Sequence, residues 1–161
     1  MDPRTLFVDT RQATYCVYCG DAPATDEHVP FKALLDQPFP PNLPVVGACE
    51  SCNNGYSLDE EYVAVVLECA AKGSVDPEVL ERPKVSRKLQ DVPSLAARIV
   101  DGMTPPDFWG ARFVVLEHER VERVVLKLAR GHVAFEFGEP MLEEPLNLWF
   151  KPIAELGADD R

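Results

Sequence analysis

The sequence has few histidines, a deficit of positive charge and no long apolar run. Its 161 residues include 3 histidines, and 27 acidic residues outnumber 16 basic ones, which gives a formal net charge of −11. A membrane-spanning helix needs about 20 consecutive apolar residues, and no such run occurs. The first residues also lack the cationic and apolar segments of a secretory signal. From these absences we expect no membrane-spanning helix and a cytoplasmic protein.

The deficit of positive charge also bears on nucleic acids. A strongly acidic chain repels phosphate, so a nucleic-acid partner would have to meet a local basic patch. Residues 82–88 form the only such patch, which we call the basic cluster: Arg82, Lys84, Arg87 and Lys88. The cluster is either a substrate-binding footprint or an ordinary solvated surface.

Cysteine is the residue type whose spacing is most informative. Four of the 5 cysteines form two Cys-x-x-Cys pairs, Cys16 with Cys19 and Cys49 with Cys52. In a reducing compartment such pairs favour metal over disulfide. Zinc prefers tetrahedral thiolate ligation, so two pairs can complete one closed structural site. We therefore predict a bound Zn²⁺, and we expect the fifth cysteine, Cys69, to be a small core residue.

The segment between and after these pairs carries further polar residues. Glu27-His28-Val29-Pro30 lies between the two pairs, and Asn53 directly follows Cys52. Over about residues 15–57 the chain resembles the zinc-stapled branch of the HNH endonuclease superfamily. The resemblance implies a ββα-metal finger in which zinc staples a hairpin to a helix.

The resemblance also implies a role for each matching residue. His28 would be the general base, since imidazole titrates near neutral pH. Glu27 and Asn53 would hold a divalent ion, Mg²⁺ or Mn²⁺, through hard oxygen ligands. Asn42 would orient His28.

Neighbouring residues leave alternatives to these assignments. Asp26 could replace Glu27 as the metal ligand, and Asn54 could replace Asn53. The basic residue that often follows the last motif is absent. Lys32, together with the basic cluster, is the candidate for contact with phosphate.

Periodicity predicts the remaining elements. Short strands are expected at residues 6–8, near 25–30 and at 45–46. The resemblance favours a helix that begins near Cys49, but Gly55 and a capping box of Ser57 with Glu60 indicate a short turn before a main helix that ends at Lys72. The acidic run 59–61 would then lie at a helix start, where negative charge is favourable, or would supply another metal ligand. Further helices are expected at 76–80, 94–100 and 114–130, the last ended by Gly131. Strands are expected at 132–137, where Val133, Phe135 and Phe137 alternate, and at 146–150.

Together these features predict an α+β protein with two parts. Residues 1–57 would form the zinc-stapled HNH core, and residues 58–161 a mainly helical extension that ends in a short β element. The predicted function is hydrolysis of phosphodiester bonds with one divalent metal, in DNA rather than RNA. The alternative is a catalytically inactive, zinc-stabilised binding or assembly module, with a protein or nucleic-acid partner or as a homodimer. A third option is an acidic protein of the immunity type that faces a basic partner.

Overall fold

A computed structural model describes residues 14–104 and 114–150 of the chain, which include a β-hairpin and four helices. Strand β1 (Thr25–His28) pairs antiparallel with β2 (Val45–Ala48), with Glu27 opposite Val46 and His28 opposite Val45. A 3-10 turn (Lys32–Leu34) lies in the connection. Four helices follow: α1 (Glu50–Lys72), α2 (Pro83–Asp91), α3 (Pro93–Gly102) and α4 (His118–Phe137). The predicted α+β class is confirmed, and α1 packs on α4.

The long helix α1 begins at the second cysteine pair. Cys49 has an extended backbone and its Sγ accepts a hydrogen bond from the Cys52 amide, which caps the first turn. The capping box predicted at Ser57 is wrong, because the Ser57 hydroxyl donates to the Asn54 carbonyl (2.9 Å) inside the helix. The end of α1 at Lys72 is confirmed, and Gly73 follows with φ 60. The boundary predicted between residues 1–57 and 58–161 falls inside α1, which continues through both sides of it. The division into two parts stays a prediction.

The C-terminal helix α4 is longer than predicted. It continues through Gly131 to Phe137, and Gly138, with φ 73, ends it. The strand predicted at 132–137 is therefore wrong. Gly131 and Ala134 are buried on the same face of α4 as Val124, because that face packs against the hairpin side of the molecule.

Other predicted elements have mixed outcomes. Helix α3 confirms the prediction for 94–100, whereas residues 76–80 form turns and residues 146–150 contain no strand. The short β element expected at the C-terminal end is thus not found among the described residues up to 150. The strand predicted at 6–8 lies outside the described part of the chain.

Two groups of buried side chains hold these elements together. The larger core joins all four helices and includes Phe31 from the hairpin connection. The smaller core packs Cys16, Val17 and Tyr18 against the hairpin and Ala134 of α4. Within the described ranges, no helix is both long and apolar enough to cross a membrane.

Candidate functional site

Two chain segments bring four cysteines together, and we call this group the cysteine cluster. Cys16 and Cys19 precede β1, whereas Cys49 and Cys52 lie at the start of α1. Their four sulfurs all lie within 4.8 Å of one another, and the Sγ atoms of Cys19 and Cys49 are 3.7 Å apart. A tetrahedral site with Zn–S bonds of about 2.3 Å has S···S edges of about 3.8 Å. The cluster is therefore consistent with a structural zinc site.

At Cys49, local hydrogen bonds favour the thiolate that a metal requires, whereas burial is the main cause that raises the pKa of Cys52. The Ser51 hydroxyl and the Cys52 amide lower the pKa of the Cys49 thiol to about 6. Donors at a helix N-terminus stabilise a negative sulfur in this way. Cys49 thus serves two purposes, as the cap of α1 and as a member of the cysteine cluster.

The predicted metal ligand Glu27 faces a buried lysine. Glu27 is 6% exposed, and its Oε1 lies 3.2 Å from Nζ of Lys127 on α4. The same ammonium pairs with the Glu60 carboxylate of α1. Lys127 itself is 2% exposed. A lysine is almost never buried this deeply unless it is paired, so the two carboxylates are what allow Lys127 to lie there.

Two aromatic rings complete the surroundings of Lys127. Its Nζ lies 5.5 Å from the ring centre of Tyr18 and 5.2 Å from that of Tyr56, within the range of a cation–π contact. Glu27, Glu60, Lys127, Tyr18 and Tyr56 will be called the lysine cluster. Burial is the main cause that raises the pKa of both Glu27 and Tyr18, and the Lys127 ammonium opposes it at Glu27.

A divalent ion does not fit the lysine cluster as it stands. The ammonium already lies against Glu27 Oε1, so a metal bound there would meet a like charge within contact distance. The crevice between His28, Glu27 and Lys127 has no room for a water-sized group. A catalytic metal keeps open positions for water and substrate, and this arrangement provides none.

The other residues of the predicted catalytic site lie in ordinary structural positions. The Asn53 side-chain amide donates to the Thr25 hydroxyl (3.0 Å), which joins α1 to β1. Asn54 and Asp26 are exposed. Asn42 is exposed in a turn of the hairpin connection, and no hydrogen bond of its side chain to another described residue is present. The catalytic and ligand roles of these residues stay predictions.

The acidic run 59–61 lies in the interior of α1. Asp59 pairs with Arg120 (2.7 Å) and Arg123 (3.2 Å) of α4, Glu60 with Lys127, and Glu61 with Lys88 of α2. The prediction that these acids mark a helix start is wrong, since α1 begins at Glu50. Their ion pairs instead connect α1 to α2 and α4.

The basic cluster is largely engaged within the molecule. Arg82 pairs with Asp36 (2.7 Å) and donates to the carbonyls of Ala33 and Leu35. Lys84 donates to the Leu35 carbonyl (2.7 Å), and Lys88 pairs with Glu61.

Two basic residues remain more open. Arg87 is exposed and has no ion pair with another described residue. Lys32 lies over the ring of Phe39, 5.6 Å from its centre. Two of the four charges of the basic cluster, on Arg82 and Lys88, are therefore already paired with carboxylates, and those on Lys84 and Arg87 are not.

Sequence reasoning missed the lysine cluster, although one signal points to it. Lys127 lies three residues after Val124, on the same face of α4 as Gly131 and Ala134, and all four residues are buried. A lysine on a buried stripe needs a partner. Its partners lie far along the chain, so the pairing itself is not readable from local pattern.

Comparison with known proteins adds no relatives to these observations. No protein-family model matches the chain, and no curated protein or solved structure matches it significantly.

Proposed function

We propose that the chain is a zinc-stabilised binding module built on an HNH-type finger that does not hydrolyse phosphodiester bonds. The observation that carries this proposal is the ammonium of Lys127 against Glu27, the residue expected to hold a divalent ion. A hydrolytic HNH site needs that carboxylate free for the metal. With Lys127 in contact, Glu27 serves instead to join β1 to α4.

The cysteine cluster has a clear purpose in such a module. Cys16 and Cys19 would share one zinc with Cys49 and Cys52, which would tie the segment before the hairpin to the start of α1. The smaller core, which contains the hairpin, has seven buried hydrophobic residues, and a core of this size gains much from such a cross-link. Zinc would then stabilise the fold and take no part in phosphodiester hydrolysis.

Charge supports a protein partner over a nucleic acid. The net charge is −11, and Arg82, Lys84 and Lys88 of the basic cluster are held by internal partners. Phosphate would meet a net-negative chain in which two of the four charges of the basic cluster are already paired. A protein with a basic surface is opposite in charge to this chain, and opposite charge speeds association.

The endonuclease remains a second candidate because of the arrangement of elements around His28. A hairpin, a following helix and a four-cysteine cluster are the parts that the resemblance requires, and His28 lies beside Glu27 at the edge of the hairpin. For hydrolysis, Lys127 would have to leave Glu27. The two candidates thus differ in one contact.

A nicking assay separates the two candidates. Zinc-loaded protein is incubated with plasmid, single-stranded and branched DNA in Mg²⁺ or Mn²⁺, and the parent is compared with His28→Ala. His132→Ala is the matched control, because His132 is exposed on α4. The module predicts no cleavage that depends on His28. Cleavage lost in His28→Ala but kept in His132→Ala would refute the module and support the nuclease.

A further inference from the structure

Large apolar side chains are exposed along one short stretch at the end of α4 and just after it. Phe137 is 78% exposed, and Met141, Leu142 and Leu146 are 56%, 43% and 100% exposed. Apolar residues scattered singly over a surface are ordinary, whereas several together mark interaction sites. Residues 136–149, which contain this group, will be called the acidic–apolar segment.

The backbone of this segment is also open after α4 ends. Residues 139–148 contain no helix or strand. Within the described ranges, none of their amides or carbonyls forms a hydrogen bond with another backbone group. Both the apolar side chains and the main chain of the segment are therefore accessible to a partner.

Contacts with the rest of the molecule nevertheless hold the segment in place. The Tyr15 hydroxyl donates to the Gly138 carbonyl (3.3 Å), and the Arg130 guanidinium donates to the Glu143 carbonyl (3.1 Å). Phe150, directly after the segment, packs against the larger core. A segment that is already ordered loses less conformational entropy when a partner binds it.

The charge of the segment defines the partner. It contains four glutamates: Glu136, Glu139, Glu143 and Glu144. Only Glu144 has an ion pair with another described residue, Arg130 at 3.2 Å. No lysine or arginine occurs in residues 131–150, and Arg130 and Lys151 on either side leave an excess of two negative charges. Such a segment repels phosphate and anionic lipid head groups and attracts lysine and arginine.

We propose that the acidic–apolar segment docks on a protein surface that combines apolar side chains with lysine or arginine. Phe137, Met141 and Leu146 supply the apolar contact, and Glu139 and Glu143 pair with the cations around it. This inference rests on the proposed function, which calls for a basic protein partner, and it names the part of the chain that makes the contact.

The test is an amide-resolved NMR titration of the zinc-loaded chain with a short amphipathic peptide of leucine and lysine. Its helix carries leucine on one face and lysine on the other. We expect saturable shifts confined to the acidic–apolar segment and the residues that touch it. Shifts that do not saturate, or that spread over acidic surfaces elsewhere, would overturn the proposal.

Two control peptides separate the apolar part of the contact from the charge. One has serine in place of leucine, and the other has glutamate in place of lysine. Because docking requires both properties, each control should bind at least about tenfold more weakly. Equal binding of either control would overturn the proposal.

Two variants of the chain test whether the apolar segment itself makes the contact. Leu146→Ser changes a side chain that is 100% exposed, so the fold should remain intact. Its affinity for the leucine–lysine peptide should fall about tenfold. Leu58→Ser is the matched control, because Leu58 is 69% exposed on α1, outside the segment, and it should bind as the parent does. Unchanged affinity in Leu146→Ser, or an equal loss in Leu58→Ser, would overturn the proposal.

A second pair of variants tests the role of charge. Glu139→Gln with Glu143→Gln should weaken binding and flatten its dependence on salt, since screening acts on the ion pairs. Glu78→Gln with Glu119→Gln removes the same charge from exposed positions outside the segment and should change little. The same salt dependence in both double variants would contradict the docking surface.

Other occupants of the segment would give different results. Sedimentation velocity of the zinc-loaded chain should show a monomer, and a dimer that dissociates in Leu146→Ser would overturn the proposal in favour of a second copy. Vesicles of zwitterionic phosphatidylcholine should not bind. Binding to them that is lost in Leu146→Ser would overturn it in favour of a lipid surface.

Failure of this inference and failure of the proposed function have different readouts. DNA cleavage that depends on His28 would refute the proposed function without changing the peptide shifts. Absence of both cleavage and peptide shifts would overturn the docking segment and leave the proposed function standing.

Discussion

Replacing Lys127 with methionine removes the charge that lies between two buried carboxylates. The side chains of Lys127, Glu27 and Glu60 are 2%, 7% and 11% exposed. Removal of one partner from a buried ion pair costs about 3–5 kcal/mol, because the remaining charge is left without compensation. A domain is stable by only about 5–15 kcal/mol, so Lys127→Met should lose a large share of its free energy of unfolding.

The assay is urea unfolding of zinc-loaded protein followed by circular dichroism at a fixed zinc concentration, since bound metal adds to apparent stability. Lys88→Met is the matched control. Lys88 pairs with Glu61 at the surface, where the side chains are 29% and 42% exposed. An exposed pair contributes about 1 kcal/mol or less, so this variant should remain near the parent.

A second substitution tests whether charge is the cause. The double variant Lys127→Met with Glu60→Gln has only one uncompensated carboxylate. Because the two residues are coupled, it should lose less stability than Lys127→Met alone. Two results would refute the reasoning. Either Lys127→Met costs no more than Lys88→Met, or the added Glu60→Gln restores nothing, in which case lost packing and not charge explains the cost.

Three further substitutions or treatments have defined outcomes. Gly131→Ala should lower the free energy of unfolding, although alanine gains about 1 kcal/mol of helix propensity, because its Cβ would lie 2.9 Å from Cγ2 of Val29. Gly55→Ala, whose Cβ would have nothing within 4 Å, should raise the free energy of unfolding. A change of the same sign in both variants would contradict this account. Burial raises the pKa of Glu27 above 4.5, so the folded parent must give up a proton as pH rises above 4.5, and this lowers its free energy of unfolding. Glutamine does not titrate, so Glu27→Gln should gain stability relative to the parent over this pH range. If the parent gains relative to Glu27→Gln instead, Lys127 outweighs burial in setting the Glu27 pKa. A zinc chelator should reduce helix and hairpin content by circular dichroism, and an unchanged spectrum after complete zinc removal would exclude a structural role.

The parts of the fold that could be predicted are those specified by local pattern. The spacing of Cys16, Cys19, Cys49 and Cys52 predicted a cluster, and the structure brings the four sulfurs together. The end of α1 before Gly73 was also predicted, because a left-handed residue at a helix end favours glycine. The helix end is specified by neighbouring residues, and the cysteine cluster by the shared preference of four thiols for one metal.

The errors arose where tertiary contacts override local pattern. Val133, Phe135 and Phe137 alternate as in a strand, yet they lie in α4, whose glycine and alanine face packs on Val29 and Tyr18. The capping box at Ser57 was predicted from its spacing to Glu60, whereas in the structure the thiol of Cys49 caps α1.

The candidate site was predictable only in its cysteine half. Glu27 could be singled out from the sequence, but its contact with Lys127 joins residues from opposite ends of the chain. The basic cluster misled for the same reason, because its partners Asp36 and Glu61 are distant in sequence. Charge counted along a sequence does not tell which charges are already paired.

Manganese binding to the zinc-loaded parent tests the central claim most directly. Free Mn²⁺ is measured by electron paramagnetic resonance during a titration of protein, with Glu27→Gln as the comparison. Because the Lys127 ammonium lies against Glu27, we predict no stoichiometric Mn²⁺ on the parent. One Mn²⁺ bound per chain, and lost in Glu27→Gln, would contradict the account.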